Sequence, residues 1–456
     1  MTVGIDAVAF DVARIHLPIT SLATARGIDP EKLEKGLGLT RMTFPDVHQD
    51  AVVFAANALT RLAQQENLDF RTITRLYVGS ESGIDNAKPI GSFLTALMEQ
   101  QFGDGVLENC DTVDFTFACI GAVDALQNCL DYIRLHPTEK AIVVATDFAK
   151  YDLGSTGEYT QGAGAVALLV SAQPRLLSLG TDWAVSTKGV FDFFKPYRTL
   201  AKAEILGGKD NTPWFGHLEA HLEIHKDQPV FDGQYSNQCY MDRTRQAYFS
   251  LKGKKNAPAT LYDSWSRIIM HLPYAFQGRR MLTEIFALDG DLSLDATDAE
   301  FPQKLKDLAK SDAYRGFVTE KLQPAERASS LIGNLYTGSI FMGLLSTLAD
   351  AAEKNTELSG STFGFMAYGS GSKSKVFEGT VENGWKSQIE KIHLFETLAA
   401  SQEMDFDTYE SLHRKERGES VRKPEGEWRL ASIETTRPNL IGARYYEWVA
   451  PSLEVV

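Results

Sequence analysis

The run Asp111-Thr112-Val113-Asp114-Phe115-Thr116-Phe117-Ala118-Cys119-Ile120-Gly121-Ala122-Val123 carries the chain from one periodicity into another. Val113, Phe115 and Phe117 alternate with polar residues, which predicts a strand with one polar face. From Val123 onward the apolar positions are Leu126, Leu130 and Ile133, the i, i+3, i+7, i+10 spacing of an amphipathic helix. Cys119 therefore stands on a strand-to-helix turn, where the helix dipole favours thiolate and lowers the thiol pKa. Gly121 and Ala122 keep the turn slim enough for a substrate to approach. On these residues alone, a nucleophile and a buried small hydrophobe are both open readings. Cys110, Cys129 and Cys239 read as packing, Cys129 because it lies further along the same helix.

The same alternation extends outward on both sides. Leu76-Tyr77-Val78 and Ala141-Ile142-Val143-Val144-Ala145 are strand signals, with helical patterns between them. Strands and helices joined by short connections predict an α/β fold of layered sheets. Tyr197 to Asp227 is charged and polar, with Gly207-Gly208-Lys209-Asp210-Asn211 as a loop signal, and reads as an insertion with room for one short helix. A second body of strands and helices follows, from Pro229 to Gly379. Gly162-Ala163-Gly164-Ala165 is echoed by Gly369-Ser370-Gly371-Ser372, a spacing of 207 residues that suggests two related halves. The expected division is 1–175 and 176–456, with the charged insertion at about 197–228. The C-terminal stretch is charged from Arg414 to Lys423 and ends in Tyr445-Tyr446-Glu447-Trp448.

Composition removes several classes of function. With 43% hydrophobic residues among 456, the chain can bury a large core, so wholesale disorder is out. Sixty acidic against 46 basic side chains give a net charge of −14, which opposes a surface that coats nucleic acid. An anionic substrate needs only a local basic pocket. Four cysteines in so long a chain are no disulfide scaffold and fit a reducing cytosol. Nothing at the N-terminus reads as a targeting signal, and the longest apolar runs fall far short of the roughly 20 residues that span a bilayer. A cytoplasmic protein with no membrane partner is expected.

Other side chains are possible carriers of chemistry. Glu81, in Gly79-Ser80-Glu81-Ser82-Gly83-Ile84-Asp85, follows a strand among small residues and is either an acid/base or a solvated loop carboxylate. His271 follows the apolar Ile268-Ile269-Met270 and precedes Pro273; it reads as a core histidine or a catalyst. His217, His221 and His225 share a face if that segment is helical. They lack the His-Glu-x-x-His pattern and a neighbouring cysteine, so a polar surface helix is the better account than a metal site. No Gly-x-Gly-x-x-Gly after a strand and no phosphate-binding Gly-x4-Gly-Lys-Ser/Thr occurs.

Taken in order, these segments resemble the hydroxymethylglutaryl-CoA synthase family of the thiolase superfamily. The resemblance rests on Glu81-Ser82-Gly83-Ile84-Asp85, on Ala118-Cys119 with Gly121-Ala122, and on the segment from Gly157 to Ala165. It continues through Asp232-Gly233, Ser236-Asn237 and Tyr240, then His271-Leu272-Pro273-Tyr274 and Gly278-Arg279-Arg280. Gly333-Asn334-Leu335-Tyr336-Thr337-Gly338-Ser339 and Tyr368-Gly369-Ser370-Gly371 complete it. The family usually has Tyr where this chain has Ile120, and a Glu in the stretch occupied by Phe115, Thr116 and Phe117. The charged insertion is also longer than in typical bacterial members. These departures bear on pocket shape and rate.

The resemblance implies a layered αβαβα fold of two related halves and a Claisen-type condensation of acetyl-CoA with acetoacetyl-CoA. It makes Cys119 the nucleophile, Glu81 the acid/base and His271, with Asn334, the group that holds the acetoacetyl carbonyl. Thr160, Ser236, Tyr336 and Ser370 join Asn334 as substrate-binding residues, and Arg279 and Arg280 are the candidates for the coenzyme A phosphates. Lys252, Lys254 and Lys255 are weaker candidates, better read as a solvated loop. No metal or redox cofactor is implied, because the thioester supplies the activation. A homodimer is implied, with a product that feeds mevalonate and isoprenoids. Rival readings are a carrier-protein-dependent enzyme of polyketide β-branching, a ketoacyl synthase, and a scaffold that retains the fold. The last would have lost Cys119, Glu81 or His271.

Overall fold

In the computed structural model, residues 1–208, 219–257, 260–290 and 299–451 are described. Nine strands form the central sheet: β1 (Val3–Val12), β2 (Ile73–Gly79), β3 (Asp111–Phe115), β4 (Lys140–Ala149), β5 (Gly162–Ala172), β6 (Leu177–Thr187), β7 (Arg267–Met270), β8 (Thr362–Gly369) and β9 (Lys373–Val381). Their order is β7-β8-β9-β6-β1-β5-β4-β2-β3. Strands β2, β3 and β4 are parallel, as are β7 and β8, while β5, β1, β6 and β9 run antiparallel to their neighbours.

Five helices matter for the site: α1 (Ala51–Glu66), α2 (Gly121–Leu135), α3 (Gly233–Lys254), α4 (Gln277–Asp289) and α5 (Ser339–Glu353). The order β1-α1-β2-β3-α2-β4-β5 is repeated as β6-α3-β7-α5-β8-β9, without a counterpart of β3. The two halves meet where Gly4 pairs with Ser178 and Ile5 with Leu177. Strands β5 and β9 hold the same place in each, which accounts for the glycine-rich echo at their beginnings.

The layers follow from which side chains each strand sends to each face. In β4 and β5, Val143, Val166 and Leu168 point into the largest apolar cluster with α2, while Ile142, Val144 and Ala167 point into a second cluster with α1. Burial on both faces is why these strands read as unbroken apolar runs. Lys373 and Lys375 of β9 reach Asp124 and Gln127 of α2, whereas Ser374 bonds Thr244 of α3. Helix α2 thus lies between the halves, with α1 and α3 outside them.

Strand β3 departs from its expected packing. It is the sheet's edge, so Val113 is 39% exposed, while Asp114 accepts hydrogen bonds from Ile90 N and Gly91 N. The charged insertion also differs from its reading. Arg198–Ala201 and His221–Ile224 pair as antiparallel strands, with one turn of helix at Lys202–Ile205. His221 is therefore on a strand, where residues four apart do not form a helical face; His217 lies outside the described residues. The aromatic C-terminus forms a hairpin, Glu427–Ile433 with Arg444–Val449, that buries Trp428 against α1. Among the described residues no helix is long and apolar enough to cross a membrane.

Candidate active site

Both halves send side chains to one place beyond the carboxyl ends of the parallel strands, where α/β sheets leave crevices. Strand β2 runs on to Glu81, β3 to Cys119, β7 to His271 and β8 to Ser370, while β4 carries Asp147 near its end. The segment before α5 supplies Asn334 and Tyr336. Two glycines permit the close approach. At Gly79 a Cβ would lie 2.2 Å from Ala122 N, so the start of α2 rests directly on the end of β2. At Gly333, with φ +93°, a Cβ would fall 1.9 Å from Gln161 O. That contact brings Asn334 N to 2.8 Å from Thr160 O, to which it donates.

A cavity of about 250 Å3 is lined by Cys119, Thr160, Ser236, His271, Asn334, Tyr336 and Ser370, with Tyr151, Tyr240 and Tyr368 among its aromatic walls. The Cys119 thiol donates to Glu81 Oε1 at 3.1 Å, from a turn in which Ala118 has φ +42°. Holding a non-glycine residue there costs roughly 1–2 kcal/mol. Burial, the Glu81 carboxylate and Asp147 push the Cys119 thiol well above its ordinary pKa, against a smaller opposing effect of Lys195. The acidic thiol expected from the helix dipole is thus overturned: the thiol is buried beside carboxylates, and the proton stays until a base takes it.

Asp147 orders the segment that carries Glu81. Its Oδ1 accepts from Ser80 Oγ, Ser82 Oγ and Glu81 N, and its Oδ2 from Thr337 N. Burial first and Glu81 second raise its pKa. Lys195 lies on the other side of Glu81, with Nζ 3.6 Å from Oε2 and donating to the Glu81 carbonyl at 3.1 Å. Strands Phe193–Phe194 and Val230–Phe231 pair at the base of the insertion and pack Phe193 and Phe231 against Tyr151 and Tyr336.

His271 is 2% exposed, and burial lowers its pKa to about 3, so the imidazole is neutral at neutral pH. Its Nδ1 is buried with no hydrogen-bond partner among the described residues. Tyr240 Oη donates to His271 O at 2.7 Å and its ring stacks on Tyr368 at 4.4 Å. Tyr368 in turn donates to the buried Asp192 at 2.8 Å, and Ser236 Oγ donates to the same carboxylate oxygen at 3.4 Å.

The arginine pair separates. Arg280 lines the cavity mouth, donating to Tyr274 Oη and to Gly36 O. Arg279 does not line it; its guanidinium is held by both oxygens of the buried Glu326. Adjacent helical residues point about 100° apart, and here only Arg280 lines this cavity. The three lysines lie in and just after the last turn of α3 and are occupied elsewhere, Lys252 by Asp289, Lys254 by Trp183 O and Lys255 by Glu378.

Asp147, Asp192, Lys195, Phe193 and Phe231 were not found by reading motifs. A lone Asp at the end of the apolar run 141–147 was a signal, since a strand buried on both faces holds a carboxylate only for a reason.

Comparison with known proteins bears on what this cavity belongs to. A family model for the hydroxymethylglutaryl-coenzyme A synthase N terminal matches residues 1–174, and its C-terminal counterpart matches 221–425. A hydroxymethylglutaryl-CoA synthase of Enterococcus faecalis is 32% identical over 412 residues, covering 90% of this chain and 91% of that one. One from Haloferax volcanii is 30% identical over 439 residues, with the same two coverages. The solved structure of MvaS in complex with 3-hydroxy-3-methylglutaryl coenzyme A aligns with a TM-score of 0.81 at 30% identity, over 98% of this chain and 99% of that one. The chain belongs to the hydroxymethylglutaryl-CoA synthase family.

Proposed function

We propose that the protein condenses acetyl-CoA with acetoacetyl-CoA and water to give 3-hydroxy-3-methylglutaryl-CoA and coenzyme A. The observation that carries this is the 3.1 Å contact of Cys119 Sγ with Glu81, in the wall of a cavity that His271 shares. As Glu81 takes the thiol proton, Cys119 sulfur attacks the acetyl carbonyl, backbone N–H groups of the turn stabilise the oxyanion, and coenzyme A leaves as its thiol. Glu81, again a carboxylate, removes a proton from the acetyl methyl. The enolate carbon bonds to C3 of acetoacetyl-CoA, whose carbonyl oxygen is held by neutral His271 with Asn334. Glu81 returns its proton to the new alkoxide. Water then cleaves the thioester to Cys119, releasing a carboxylate and restoring the thiol.

Thr160, Ser236, Tyr336 and Ser370 line the acyl chamber, and Arg280 meets a coenzyme A phosphate. The carrier-protein reading is weaker, because the relatives at 30–32% identity are named CoA synthases. The product's place is the supply of mevalonate.

Incubation with acetyl-CoA should add one acetyl group to the intact protein, and acetoacetyl-CoA should then release the product. An adduct retained by Cys119→Ala would remove the nucleophile. Glu81→Ala should acetylate much more slowly, since the thiol loses its base, and should not condense; normal turnover would refute its role. If wild type accepts acetoacetyl carrier protein and not acetoacetyl-CoA, the acceptor is wrong.

We also place the protein in the cytoplasm as a homodimer. Support comes from four free thiols and from β3, whose outer edge has no strand partner among the described residues. An exposed strand edge is a template for a second strand. Light scattering should read twice the chain mass in the soluble fraction, and a monomer at working concentration would refute the dimer.

A further inference from the structure

The Glu81 carboxylate sits among groups of unequal charge, and among the described residues Lys195 is the cation paired with it. Facing it are Cys119 from the nucleophile turn, Asp147 from β4, Tyr151 just beyond β4, Tyr336 before α5, and Lys195 from the base of the insertion. Its side chain is 6% exposed and that of Lys195 is 10% exposed, so water screens neither well.

Lys195 is held at three points: the Glu81 carboxylate at 3.6 Å, the Glu81 carbonyl at 3.1 Å, and the face of Tyr336, 4.6 Å from the ring centroid. Cys119 lines the substrate cavity, whereas Lys195 lines a second cavity of about 480 Å3 on the far side, with Ser82, Phe148 and Lys150. Glu81 thus lies between a thiol in front and an ammonium behind.

We propose that Lys195 is a positioning residue for the condensation, supplying the counter-charge of the Glu81 carboxylate and fixing that carboxylate against Cys119. This rests on the acid/base role of Glu81 proposed above. The carboxylate must be free of a proton when it meets the acetyl methyl. A fixed ammonium at 3.6 Å supplies the opposite charge, and its bond to the Glu81 main chain prevents the loop from turning the carboxylate away.

The test is the pH dependence of product formation in the full chain. Lys195→Met should move the acid limb of kcat upward by about one pH unit or more, a loss that approaches about tenfold below the wild-type limb and recovers as pH rises. KM for acetoacetyl-CoA should change by no more than about twofold, because the lysine does not line the substrate cavity. Lys195→Arg keeps the charge and should keep the limb within about half a unit of wild type. Equal, pH-independent losses in Met and Arg variants would overturn the proposal, as would an unshifted limb in Lys195→Met. Lys195→Gln replaces Met in the comparison if the Met variant does not fold. A wild-type chain that neither acetylates nor releases product instead overturns the reading of the reaction, before any lysine variant is made.

Discussion

At Cys119 a helix dipole and a buried setting pull the thiol in opposite directions. The dipole is worth roughly 0.3–1 kcal/mol in favour of thiolate. Full burial shifts an ionisable group by up to about 3–5 pKa units, several kcal/mol in favour of the thiol. Burial wins, so on the proposed reaction Glu81 has to take the proton before the sulfur can attack. His413 shows the same force on a cation. Burial, with Lys150, lowers its pKa to about 4 from an ordinary 6.5, while the ring bonds Tyr151 O and stacks on Phe44. Its folded-state pKa lies below the unfolded value, so between these limits the unfolded chain binds more protons and stability falls as pH falls. Moving from pH 7 to about 5 should therefore cost on the order of 1–2 kcal/mol through His413. Urea midpoints should show a smaller acid loss in His413→Gln, and an identical loss would refute this. Local periodicity could place Cys119, Glu81 and His271 near strand ends, but only the ordered family resemblance singled them out together. Asp147, Asp192 and Lys195 were not singled out, since their meaning lies in contacts across distant segments. Two adjacent arginines look equivalent in sequence until the helix assigns each a direction, and only Arg280 lines the cavity that holds Cys119.

Among elements, the decisive contact is α2 on β2. Gly79 has no room for a methyl group, because its Cβ would lie 2.2 Å from Ala122 N and 2.3 Å from Ala122 Cα. Gly79→Ala should push the start of α2 off the sheet, destabilise the fold by about 2–4 kcal/mol and lower Cys119 acetylation at least about tenfold. Thermal melting with the mass assay checks both, and a variant of wild-type stability and rate would refute the contact. Strands β4, β5 and α2 could be read in advance because their apolar spacing is set locally. The insertion could not: charge and loop residues fixed its polarity, but the pairing of Arg198–Ala201 with His221–Ile224 joins residues far apart in sequence. Three histidines four apart are no evidence for a helix where strand pairing sets the backbone.

For the whole molecule, two halves with one chain order meet along β1 and β6 and face a common cavity. Recurrent glycine-rich segments hinted at the repeat, yet nothing in them said which ends would converge. That outcome depends on parallel strands in both halves pointing the same way toward the cavity. The exposed face of β3 was likewise invisible in its alternation, because a pattern of two faces does not say whether a neighbour covers either one.

Cys119, backed by Glu81, lies in one wall of the cavity and His271 and Asn334 in the other, each wall resting on its own sheet strands. On the proposed assignment, one wall handles the acyl donor and the other the acceptor. Such a seam gives heredity two separate dials. Substitutions behind β7 and β8 can retune which ketone is accepted while the acylation machinery behind β2 and β3 is left intact, so new acceptors can be explored without rebuilding the nucleophile.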